Sequence, residues 1–120
     1  DHETKVVQAA IDIQKGIGEL NKTLSTLNIN KIALLRIDVD GYSPTREVLD
    51  HLYDKVVPGG MIIFDDLCLV ESAEATKDWL VERGLPLEVR DPYDDKIYSL
   101  KNRVVDSESG FHTGSYIIKK

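Results

Sequence analysis

Three aspartates stand where their carboxylates could act together. Asp38 follows the run Leu34-Leu35-Arg36-Ile37, and Asp65-Asp66 follow Met61-Ile62-Ile63-Phe64. Asp65 and Asp66 come 27 and 28 residues after Asp38. A strand, a crossover helix and a return strand fill that distance. On this reading the acids gather at the carboxyl ends of neighbouring parallel strands, the edge at which open α/β sheets bind ligands. Adjacent strands lie about 4.8 Å apart, so one cation could bridge the terminal side chains and relieve their repulsion. Oxygen-only ligands suit Mg²⁺, Ca²⁺ or Mn²⁺ rather than Zn²⁺, and no Cys/His cluster competes. Mg²⁺ keeps several waters and so leaves room for a substrate hydroxyl, whose proton it makes easier to remove. Asp38 could alternatively take that proton directly. A single aspartate at a strand end more often caps a helix or holds a loop. Three after two apolar runs favour a ligand or metal site, with Asp40 placed to cap the following helix instead.

The elements that must position these acids are legible in the surrounding pattern. Lys31 to Asp38 is nearly continuously apolar, as a central parallel strand buried on both faces is. Val48, Leu49, Leu52 and Tyr53 mark the inner face of a helix over 44–55, with Pro44 in its first turn. Pro58-Gly59-Gly60 is expected to end that passage and turn the chain. Met61 to Phe64 is the second buried strand. Glu71 to Arg83 predicts a helix with Ala73, Ala75, Trp79 and Leu80 inside and Gly84 as its stop. Leu87 to Arg90 alternates as a strand, and 114–119 is a final strand expected to pair antiparallel with it. Residues 96–112 supply a short strand or a covering loop.

Residues 3–27 admit two readings. Val6, Ala10, Ile13, Ile17, Leu20, Leu24 and Leu27 fit one helical stripe or a short coiled coil. Gly16 and Gly18 interrupt it, each costing about 1 kcal/mol inside a helix, and Ile11-Asp12-Ile13-Gln14 alternates like a strand. The preferred reading is a helix tail, a strand near 10–15, a glycine loop and a short helix.

Composition narrows the function classes. A length of 120 residues suits one domain with one core. The 15 basic and 21 acidic residues give a formal net charge of −6, which argues against nonspecific nucleic-acid binding. The single Cys68 excludes an internal disulfide and fits a reducing compartment. No apolar run approaches the roughly 20 residues of a membrane span. The opening Asp1-His2-Glu3 lacks signal-peptide character, so a cytoplasmic location is expected. Cys68 reads as a packing residue, His51 and His112 as surface, and Trp79 and Tyr53 as core. Tyr42, Tyr93 and Tyr98 fall in loops that could line a pocket.

The motif Arg36-x-Asp38-x-Asp40-x-Tyr42-x-x-Thr45, followed by Leu52-Tyr53, Pro58-Gly59-Gly60 and Asp65-Asp66, resembles the macrocin O-methyltransferase family. Gly18-Glu19-Leu20-Asn21-Lys22-Thr23-Leu24 and the approach Lys31 to Arg36 are similar too, so the resemblance covers about 11–83. It implies a class I methyltransferase fold: a three-layer Rossmann-like α/β sheet, mostly parallel, with an antiparallel carboxyl-terminal hairpin. It also implies S-adenosylmethionine as methyl donor, Mg²⁺ as metal, and a small-molecule hydroxyl, such as that of a sugar, as acceptor. By motif position Asp38, Asp65 and Asp66 match the metal ligands, and Asp38 is also the candidate base and a cofactor contact. Ile11 to Lys15 would be the third strand of that sheet, with Gly16 and Ile17 beside the cofactor's adenine. Ser43-Pro44 departs from the family's usual Glu-Ser. No glycine-rich loop follows a first strand, so residues 1–120 resemble the carboxyl-terminal part of the domain, lacking its first strands. The rival is a non-enzymatic acidic module, binding a cation or forming a homo-oligomer through the 6–27 stripe.

Overall fold

The computed structural model describes residues 9–13, 31–39, 41–100 and 111–120. Its elements in chain order are strand β1 (Ala9–Ile13), strand β2 (Ile32–Ile37), helix α1 (Tyr42–Leu52), a 3₁₀ turn (Tyr53–Lys55), strand β3 (Val56–Phe64), helix α2 (Val70–Glu82), and strands β4 (Glu88–Arg90), β5 (Ile97–Ser99) and β6 (Ser115–Ile118). They form an α/β fold around one mixed sheet of order β1-β2-β3-β6-β4-β5. β1, β2 and β3 are parallel, while β6 runs antiparallel to both of its neighbours, β3 and β4. β5 closes the sheet antiparallel to β4.

Register explains where the core lies. Leu35 pairs with Ile62 and Ile37 with Phe64, and all four are almost fully buried. They share one face with the inner residues of the helices: Val48, Leu49 and Leu52 from α1, and Ala73, Trp79 and Leu80 from α2. Leu34, Arg36, Met61 and Ile63 occupy the alternate positions, hence the other face, and are only half-buried. The helices pack side by side as one layer. Trp79 Nε1 donates to Asp50 Oδ1 at 2.8 Å and Tyr42 Oη donates to Asp78 Oδ2 at 2.6 Å. Arg46 reaches Glu82 at 2.5 Å. The second helical layer expected from the sequence is not among the described residues.

Several expectations change. β1 is a strand, which excludes one continuous helix over 3–27; the flanking residues 1–8 and 14–30 lie outside the described residues. Pro58-Gly59-Gly60 does not turn the chain. These residues lie inside β3, whose register against β2 jumps from Ile32↔Val56 to Leu34↔Met61. Three extra residues on β3 therefore bulge out there. Gly59 takes a positive φ of 85°. A Cβ on Gly60 would meet Val57 O at 2.8 Å and Ala33 O at 3.1 Å, so the close approach of β2 requires glycine. The final strand meets β4 as expected, through Arg90↔Tyr116. Most of its pairing, from Met61↔Ile118 to Phe64↔Ser115, is with β3.

Candidate metal centre at the carboxyl edge of the sheet

The two central parallel strands end level. Ile37 pairs with Phe64, and Asp65 N donates to Ile37 O at 2.9 Å. This carries the ladder one residue past β3 and fixes the backbone of the acid pair against the end of β2. Asp38 follows β2 directly, and Asp65 and Asp66 follow β3. One carboxylate oxygen from each of the three lies within 4.8 Å of the others, at half-buried positions. The cluster thus gathers the three acids singled out by the sequence. Asp40, Gly16 and Ile17 lie outside the described residues.

Arg36 completes the group. Residues two apart on a strand share a face, so Arg36 projects on the side of Asp38. Its Nη2 donates to Asp65 Oδ1 at 2.9 Å and lies 3.5 Å from Asp38 Oδ2. The guanidinium and both carboxylates are between a quarter and a third exposed. Asp38's pKa is raised above the ordinary aspartate value. Burial is the main cause, followed by the charge of Asp65 and a hydrogen bond with it; a bond with Asp66 and the Arg36 charge oppose the rise. Unneutralised repulsion and a partly dry setting both favour the protonated acid. The donor set is three hard carboxylates, the chemistry of an Mg²⁺-type ion.

A second titratable pair stands on the same rim. Gly114 N donates to Phe64 O at 3.0 Å, and Cys68 Sγ lies 3.5 Å from Thr113 Oγ1. The turn before β6 is therefore seated against the acid-bearing loop. His112 opens that turn, its Nδ1 2.5 Å from Asp91 Oδ2, with Tyr93 packed edge-on at 4.6 Å. Asp91 is buried, and burial pushes its pKa up. The Tyr93 N–H, the His112 bond and the Asp94 N–H outweigh that, and the net direction is down. The His112 ring is 57% exposed, as a surface residue should be, yet it is anchored. Its partner lies 21 residues away, a distance no local pattern reveals.

The other tyrosines do not line the cluster. Tyr42 begins α1 and ties it to α2, and Tyr98 in β5 donates to Asp94 Oδ2 at 2.5 Å. Arg36's part was readable from its two-residue spacing to Asp38. A hollow of about 660 Å³ is lined by Met61, Leu85, Pro86, Glu88, Arg90 and Tyr116 among others. Asp38, Asp65 and Asp66 are not among its lining residues.

Comparison with known proteins identifies the family of the chain. The profile of the macrocin O-methyltransferase (TylF) family matches residues 6–97. Mycinamicin III 3''-O-methyltransferase of Micromonospora griseorubida is 35% identical over 72 residues, covering 60% of this chain and 28% of the relative. Demethyldecarbamoylnovobiocin O-methyltransferase of Streptomyces niveus is 45% identical over 49 residues, or 41% of this chain and 19% of the relative. The structure of the O-methyltransferase NovP superposes with a TM-score of 0.61 at 26% identity, covering 86% of this chain and 36% of NovP. The chain thus spans about a third or less of the length of these proteins. With three quarters of its residues inside the matched region, the chain belongs to the macrocin O-methyltransferase family.

Proposed function

We propose that this chain is the carboxyl-terminal part of a cytoplasmic S-adenosylmethionine- and Mg²⁺-dependent O-methyltransferase with a Rossmann-like sheet, acting on a hydroxyl of a sugar or another natural-product acceptor. The observation that carries the reading is the convergence of Asp38, Asp65 and Asp66 within 4.8 Å at the carboxyl edge, in a chain of this family. The relatives named above are methyltransferases of mycinamicin and novobiocin precursors.

In this reading Asp38, Asp65 and Asp66 hold the divalent ion. Bound there, the ion would draw an acceptor hydroxyl to the rim and ease loss of its proton, while S-adenosylmethionine would supply an electrophilic methyl on sulfonium. Asp38 has two tasks. It contributes an oxygen to the ion and stands ready to take the hydroxyl proton. The balance is simple: the acceptor oxygen gains a bond to the methyl carbon, the carbon–sulfur pair leaves with sulfur, and the proton passes to the carboxylate. Arg36 holds Asp65 and steadies Asp38 between events.

The test is methyl transfer from labelled S-adenosylmethionine to sugar-bearing macrolide and aminocoumarin acceptors by the intact polypeptide that contains this chain. Activity dependent on Mg²⁺ and lost in Asp38→Ala supports the reading. Full activity in chelator contradicts it.

A further inference from the structure

The geometry points to Arg36 as a built-in counter-ion that competes with the divalent cation for Asp65 and Asp38, so that the centre binds its metal weakly and reversibly. This rests on the metal reading above and concerns how that site is tuned.

Three carboxylates brought within 4.8 Å repel one another at neutral pH. A chain that folds before it meets a metal must offset that repulsion by some other means. Arg36 supplies the offset. Its guanidinium is in direct contact with Asp65 Oδ1 at 2.9 Å and close to Asp38 Oδ2 at 3.5 Å, on the same face of the sheet. The guanidinium thus engages at least two of the three acids. Guanidinium is a fixed charge that does not deprotonate in the working range, so the offset does not fade with pH.

Two consequences follow from the charges. Three carboxylates with one guanidinium leave a net −2, the charge that a single divalent ion neutralises. A permanent positive charge touching two ligands also opposes the entering ion, and the opposition is moderated because the group is a third exposed to water. Removing the guanidinium therefore raises metal affinity and lowers the stability of the metal-free fold. A guanidinium that merely braced the ligands would do the reverse to affinity, since its loss would leave the carboxylates less well placed.

The experiment is titration of the intact polypeptide that contains this chain with Mn²⁺, followed by electron paramagnetic resonance, for the wild type and Arg36→Met. Thermal unfolding is recorded without metal and at saturating Mn²⁺. The expected result is one site in each, about tenfold tighter in Arg36→Met, with a lower metal-free melting point that Mn²⁺ restores. Wild-type binding with equal or weaker binding by Arg36→Met overturns the competition and leaves the metal reading standing. No binding by either protein overturns both. Should Arg36→Met not fold, the wild type alone decides. Saturation with Mg²⁺ should move the Arg36 side-chain Nε–H resonance as its carboxylate contacts are released, and a resonance that stays in place at saturation overturns the inference.

Discussion

Asp65 is the residue on which both the metal reading and the Arg36 pairing converge. It extends the β2–β3 ladder through its backbone, accepts from Arg36, and offers an oxygen to the acid cluster. Asp65→Asn is isosteric, keeps the backbone bond and removes only the charge. Mn²⁺ affinity should fall by roughly tenfold or more, as expected for deleting a charge in contact with a divalent ion, while calorimetric melting should show the fold intact. The buried Asp91 gives a pH-dependent prediction. Its folded-state pKa lies below the unfolded value, so it stabilises the fold above the ordinary aspartate pKa of about 3.9. That contribution is lost as pH falls through the folded-state pKa. Asp91→Asn should therefore melt lower than wild type at pH 6, and the gap should shrink as pH is taken from about 5 to about 2. A gap independent of pH would show that the carboxylate's charge is not what matters. At this scale the acids were legible because they follow two strand-length, mostly apolar runs. Asp91–His112 was not, because only tertiary packing brings the two together.

At the scale of elements, the bulge in β3 positions the acids as much as the strands do. The three extra residues near Pro58–Gly60 let Met61 to Phe64 come into register with β2, which brings Asp65 level with Asp38. Gly60→Ala puts a methyl against backbone carbonyls that cannot swing away. A destabilisation of about 1–3 kcal/mol is expected in urea unfolding, together with weaker Mn²⁺ binding as the strand ends slip out of level. The pair of helices is clamped by Trp79, which is 1% exposed, bonded to Asp50 and covered by the Arg83 guanidinium 4.6 Å from its ring. Trp79→Phe should cost about 1–3 kcal/mol through the lost bond and volume, with metal affinity unchanged because the cluster is not touched. Both helices were readable from their apolar periodicity to within about two residues, since α1 continues as the 3₁₀ turn at Tyr53–Lys55. The Pro-Gly-Gly segment was misread because the residues that make a turn are the same ones that make a bulge. The place of β6 beside β3 was not legible, because β-strand partners across a sheet leave no mark on local sequence.

For the molecule as a whole, the sheet is well packed on one face only among the described residues. Leu35, Ile37, Ile62 and Phe64 join the helices in the core, whereas Leu34, Met61 and Ile63 stand outside that core on the other face. The curated relatives are roughly twice as long as this chain and so have further polypeptide available to cover it. The proposed cofactor site draws on Gly16, Ile17, Asp38 and that further polypeptide, whereas the acid cluster found among the described residues lies within Asp38–Asp66. The two functions should therefore separate in this chain. Calorimetry should find S-adenosylmethionine binding weaker than about 1 mM, and divalent binding should be retained. Micromolar cofactor binding by these 120 residues would show that the donor site needs nothing outside them. The family's motif was readable because it sits in one continuous stretch. That the first strands of the domain lie outside this chain is an expectation resting on a glycine-rich loop the sequence lacks.

The most direct measurement is paramagnetic broadening of backbone amide resonances by substoichiometric Mn²⁺. Broadening should centre on Asp38, Asp65 and Asp66 and disappear in the Asp65→Asn/Asp66→Asn chain. Broadening centred instead on the acidic turn Asp91–Asp95, or none at saturating Mn²⁺, would contradict a divalent centre at the ends of β2 and β3.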